Sequence, residues 1–169
     1  MGVTIHFEGR LRSRESLDRL LGTAEAVAAR LNWPCRKISS ERVHLTRTVG
    51  ESETEYVGPS AGIELIPHDR SDPLRLEFDA DLFVQDFVKT QFAGVEVHAR
   101  IVGVLREIEP YFESLVVEDE GELWTTDDNQ LLEAHFSSFD RALADYLRDN
   151  PNAHGPVRLE SGRWVDVVA

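Results

Sequence analysis

The sequence predicts an α+β fold, a mainly antiparallel sheet with about three helices packed on it, and three observations carry that prediction. Apolar and polar residues alternate in several short runs, the period of a strand with one buried face. Three longer segments instead carry their apolar residues at helical spacing. The short runs come in hairpin-spaced pairs joined by turn residues. A doubly wound nucleotide fold, which needs strand and helix to alternate throughout, is thereby excluded.

In chain order, Val3, Ile5 and Phe7 alternate with Thr4, His6 and Glu8, which predicts the first strand. Ser13 offers an N-cap with Glu15 in the first turn, and Leu17, Leu20, Leu21, Ala24, Val27, Ala28 and Leu31 form one stripe, so a helix follows and ends at Asn32-Trp33-Pro34. Across 35–49 the apolar residues thin to Ile38, Val43, Leu45 and Val49, suggesting one or two strands with a basic exposed side. Residues 51–60 are polar and read as a surface loop. Residues 63–67 and 74–79 read as a hairpin closed by His68-Asp69-Arg70-Ser71-Asp72-Pro73, and 82–88 add a strand or a short helix.

Val97, Ile101, Val104, Leu105, Ile108 and Phe112 share a face, predicting a second helix over 95–112 with Pro110 in its last turn. Residues 115–118 and 122–125 flank Asp119-Glu120-Gly121 and read as a tight hairpin. Thr126 then caps a third helix whose stripe is Leu132, Phe136, Phe139, Ala142, Leu143, Tyr146 and Leu147. Residues 156–159 and 163–168 close the chain as a hairpin about Ser161-Gly162.

A chain of 169 residues with one cysteine, Cys35, suits a single domain over 1–169 with no internal disulfide. It shows neither a charged-then-apolar leader nor an apolar run near the roughly 20 residues a membrane span requires, so a cytoplasmic protein is expected. The net charge of −13 is unevenly placed: residues 107–149 hold thirteen Asp and Glu against Arg141 and Arg148 alone. Such a surface repels nucleic acid and attracts basic partners. The opposite excess over 10–47, including Arg10, Arg12, Arg14, Arg19 and Arg30, is the one feature that would favour nucleic acid. It has no aromatic residue interleaved before Trp33, so that reading ranks last.

Gly58-Pro59-Ser60-Ala61-Gly62 satisfies the G-x-S-x-G nucleophile pattern, but a strand rather than a helix follows Ser60, and a glycine-rich turn is the expected structure. His98 and His135 fall on or beside apolar helix faces, where a histidine is ordinarily a hydrogen-bonded core residue. If their helices pack together they could approach Asp119 or Glu120. Asp119-Glu120 is otherwise an exposed turn, and Asp79-Ala80-Asp81 fails the calcium-loop pattern at Phe83. His6 and His44 lie on polar strand faces and would be neighbours if those strands pair. No phosphate loop, dinucleotide fingerprint, H-E-x-x-H or paired-cysteine knuckle is present, so no cofactor and no tightly bound metal are expected.

Lys89-Thr90-Gln91, the helix carrying His98, and Asp119-Glu120-Gly121 with Trp124 and Asp128 together resemble a pattern in a family of bacterial proteins with no assigned activity. The resemblance implies a bacterial cytoplasmic protein and no reaction. Two functions follow from the residues. The first is an acidic accessory or binding protein that meets a basic protein partner through the 107–149 surface, with Glu118, Glu122 and Glu133 as contact residues. The second is a small enzyme or ligand-binding domain, its pocket for a small molecule built from Lys89, Gln91, His98, Asp119, Glu120 and Trp124.

Overall fold

The alternating run at the start of the chain forms the central strand of an antiparallel sheet. In the computed structural model, which describes residues 2–168, strand β1 (Thr4–Leu11) lies between β5 (Phe83–Lys89) and β6 (Phe112–Asp119). Met1 and Ala169, the ends of the predicted domain, lie outside the described residues. Ile5, Phe7 and Leu11 point into the core, and His6, Glu8 and Arg10 point away from it. A second sheet runs β2 (Cys35–Val49), β3 (Ser52–Leu65) and β4 (Leu74–Phe78). At the corner between the sheets Asp79 N donates to Phe83 O and Asp72 N donates to Lys89 O, each at 3.0 Å. Between those bonds β4 and β5 are not paired with each other, β4 pairing with β3 and β5 with β1.

Helix α1 (Arg14–Leu31) begins where Ser13 Oγ accepts from Ser16 N and ends at Asn32 in the left-handed region. Its predicted stripe is buried through Leu17, Leu20, Ala24, Val27 and Ala28. Helix α2 (Val95–Ile108) buries His98, Ile101, Val102, Val104, Leu105 and Ile108. Helix α4 (Asn129–Asp149) packs on it through Leu132, Phe136 and Phe139. Inward side chains of both sheets and these helices make one apolar core, so the fold is α+β. Among the described residues, β7 (Val157–Arg158) pairs with β8 (Trp164–Val165), and no helix is long and apolar enough to cross a membrane.

Several sequence expectations are corrected. Residues 51–60, expected as a loop, lie mostly in β3; the turn sits at Gly50, whose φ is 62°, and β2 and β3 form a hairpin of 15 and 14 residues. Its outer part is exposed on both faces, so no burial alternation marks it in the sequence. The G-x-S-x-G segment is strand rather than turn: Ser60 Oγ donates to Glu77 Oε1 at 2.8 Å, and Gly62 lies so close to Leu76 that a Cβ would stand 2.8 Å from its carbonyl carbon. Helix α2 stops at Ile108, because Pro110 holds residues Glu109–Tyr111 in a 3-10 turn and β6 begins at Phe112. The second arm of the predicted 115–125 hairpin is a single helical turn, α3 (Leu123–Thr126). Asp128, not Thr126, caps α4: its Oδ1 accepts from Gln130 N at 2.9 Å and Leu131 N at 3.2 Å. His6 and His44 are not neighbours, since β1 pairs with β5 and β6 while His44 faces Val57.

Candidate functional site

Of the residues that stand out chemically in the sequence, His98 and Asp119 meet in the interior. The end of β5 delivers Thr90, the first turn of α2 delivers His98 and the end of β6 delivers Asp119. Thr90 Oγ1 donates to Val3 O at 2.8 Å, which leaves its lone pair to accept from His98 Nδ1–H at 2.7 Å. His98 Nε2 stands 2.9 Å from Asp119 Oδ1 but off the line of an N–H donor, and it has no aligned hydrogen-bond partner. The approach is attractive only when Nε2 also carries a proton.

Asp119 is otherwise engaged by its own turn, with Oδ1 accepting from Gly121 N at 2.8 Å and Oδ2 from Trp124 N at 2.9 Å. Burial pushes its carboxyl up, but the imidazole and the two backbone N–H groups outweigh that and hold it below the ordinary aspartate value. Phe136 closes the cluster edge-on to His98 at 5.8 Å. His98 is fully buried and Gly121 packs directly on it. This constellation holds four elements together and presents no face to a ligand.

The remaining pocket residues proposed from sequence are engaged elsewhere, three of them in fastening the ends of the chain. Lys89 Nζ and Gln91 Nε2 donate to Asp166 Oδ1 at 3.0 and 2.6 Å, fastening the C-terminal segment. Gln91 Oε1 accepts from Val3 N at 2.9 Å and Glu120 Oε2 from Thr4 N at 2.8 Å, fastening the N-terminal one. Trp124 lies under Arg106, whose guanidinium carbon is 5.8 Å from the ring centroid. His135 Nε2 is 2.6 Å from Glu122 Oε2 and away from His98, and among the described residues no three His, Cys, Asp or Glu side chains converge as a metal set. Neither of the two described concavities is lined by any of the six proposed pocket residues.

The open side of the β5-β1-β6 sheet has the opposite character. Register places Phe87, His6 and Glu118 in one row across the strands and Gln85, Glu8 and Val116 in the next. The tip of the β2-β3 hairpin leans toward this face, where Arg47 donates to Phe83 O at 3.3 Å and Gln85 O at 3.2 Å. Gln85 ties the parts together: Oε1 accepts from Thr48 N, and Nε2 donates to Thr48 O and Glu8 Oε2, all at 2.7 Å.

The result is a groove of about 540 Å³ between hairpin tip and sheet, lined by Glu8, Asp86, Glu118, His6, Phe87 and Val116 among others and by no Lys or Arg. Phe87 is 38% and Val116 53% exposed, and among the described residues Glu118 has no side-chain bond. At one end Arg163 stacks on Phe87, 4.4 Å from the centroid, and its Nη2 donates to Asp86 Oδ1 at 2.6 Å. Burial pushes the Asp86 carboxyl up, a shift that the Arg163 charge only partly offsets. Of the three carboxylates proposed as partner contacts, Glu118 lines the groove, while Glu122 pairs with His135 and Glu133 is exposed on α4, on the helical side of the molecule.

Glu8, Asp86, Phe87 and Val116 were missed as site residues. The alternation along β1 marks Glu8 and His6 as outward-facing, but only the β5-β1-β6 order sets them beside Phe87 and Val116. Comparison with protein-family models, with curated proteins and with solved structures finds no match for this chain.

Proposed function

We propose that the protein is an acidic binding module that takes a cationic segment of a partner protein on the open face of the β5-β1-β6 sheet. The observation that carries this reading is the groove: Glu8 and Glu118 stand beside exposed apolar surface at Phe87 and Val116, while Arg163 at its end is already paired with Asp86. Carboxylates beside an exposed aromatic ring suit a guanidinium or ammonium on an apolar stem, since the charge is met by the acids and the stem by the ring and the valine. The acidic excess of 107–149 adds a field that draws a cation toward the molecule.

The test is a titration with a synthetic peptide alternating arginine and valine at low and at physiological ionic strength. Binding should weaken as salt rises, and Glu8→Lys or Glu118→Lys should weaken it about tenfold at low salt, roughly 1.4 kcal/mol. Affinity indifferent to salt and to both reversals contradicts the reading.

A further inference from the structure

The two edges of the β5-β1-β6 sheet are treated differently. Along β5 the outward backbone groups are taken up by other parts of the chain. Phe83 O accepts from Asp79 N and Arg47, Gln85 O accepts from Arg47, and Phe87 O accepts from Arg163. Lys89 N donates to Asp72 Oδ2 at 3.1 Å while Lys89 O accepts from Asp72 N. This edge is closed by arginine and aspartate side chains and by the β4-β5 corner.

Strand β6 is left open. Glu120 N donates to Thr4 O at 3.0 Å, and in an antiparallel ladder the bonded pairs then recur every second residue. Ser114, Val116 and Glu118 therefore bond to β1, opposite Arg10, Glu8 and His6. The N–H and C=O groups of Leu115 and Val117 point the other way, and among the described residues nothing bonds to them. An exposed edge of this kind is a template for another strand.

We propose that the partner segment adds as a further strand on the outer edge of β6, pairing its backbone with Leu115 and Val117. The inference rests on the binding function above and gives it a mode. The occupant is an extended segment with Arg or Lys on alternate residues. On that register its cations continue the open face beside Glu118, and its intervening apolar residues meet Leu115 and Val117. Charge argues against a second copy as the occupant, because two chains of −13 repel and self-pairing would bring Glu118 of each toward the same edge.

The probe is the alternating arginine and valine peptide, made long enough to span β6. Proline is tolerated where a strand's N–H faces outward, so Leu115→Pro leaves the β1-β6 ladder intact while removing one donor from the open edge. It should melt within a few degrees of the parent and bind the peptide at least tenfold more weakly. Amide hydrogen exchange in the unmodified protein gives a readout that needs no variant. Leu115 and Val117 amides should exchange fast in the free protein and become protected when the peptide is added, while Val116 is protected throughout. Salt-sensitive binding with no new protection at Leu115 and Val117 overturns edge pairing and leaves the acidic-face reading standing. Absence of any salt-sensitive binding overturns both. Protection of Leu115 and Val117 that grows with protein concentration and needs no peptide overturns the cationic occupant in favour of a second copy.

Discussion

The inner and outer sides of one three-stranded sheet use charged residues in opposite ways. Around the ends of its strands the side chains of Thr90, His98 and Asp119 meet in the interior, where Thr90 bonds Val3 O and His98 Nδ1 and Asp119 accepts from Gly121 N and Trp124 N. On the outside, Glu8 and Glu118 stand at the surface beside Phe87 and Val116. Residues with the chemistry of a catalytic site are thus buried among structural bonds, and the recognition we propose would use an ordinary alternating polar face. A histidine beside a carboxylate indicates function only where something can reach it.

The contrast breaks most readily from the inside. His98→Ala leaves Asp119 buried without its partner and should cost about 3–5 kcal/mol in denaturant unfolding. A loss below about 1 kcal/mol would mean that the cluster is not a fastener. Next in size is Gly121→Ala, where the added Cβ would stand 2.5 Å from Leu132 Cδ1 and 2.9 Å from His98 Nε2. Overpacking of this kind should cost about 1–3 kcal/mol, and a neutral result would show that the turn can retreat from the core.

Acid titration sharpens the same comparison. The Asp119 carboxyl is held below its ordinary value, so the stability it contributes is present above about pH 4 and is lost as pH falls through its lower folded value. Asp86 acts in the reverse sense: its raised carboxyl favours the folded state at low pH, and that contribution is lost as pH rises through the folded value. Asp119→Asn should therefore flatten the acid limb of a stability profile, and an unchanged limb would place the responsible carboxylate elsewhere. The smallest effect on stability belongs to Glu118→Lys, within about 0.5 kcal/mol by thermal melting, although it is among the largest expected on binding.

How much of this is legible in the sequence depends on whether burial leaves a periodic trace. Helix α1 is read nearly to the residue because Leu17, Leu20, Ala24 and Val27 are buried on one stripe and Ser13 caps it. Much of β3 is missed because the hairpin carrying Glu53, Glu55 and Val57 is solvated on both faces. The turn at α3 is missed because Asp119 shapes it through Gly121 N and Trp124 N, bonds that no local propensity encodes. His98 and Asp119 stand out as residues, and their meeting follows from helix packing. The groove is not legible at all, since Phe87 and Val116 come together across β1 only through strand order and register.

Amide chemical shifts followed while the arginine and valine peptide is titrated into the protein test this division of labour most directly. Recognition by the outer face predicts changes concentrated at His6, Glu8, Gln85, Phe87, Val116 and Glu118, fading as salt is raised, with Thr90, His98 and Gly121 unmoved. Changes centred on Thr90, His98 and Gly121 instead, with the outer face silent, would contradict it.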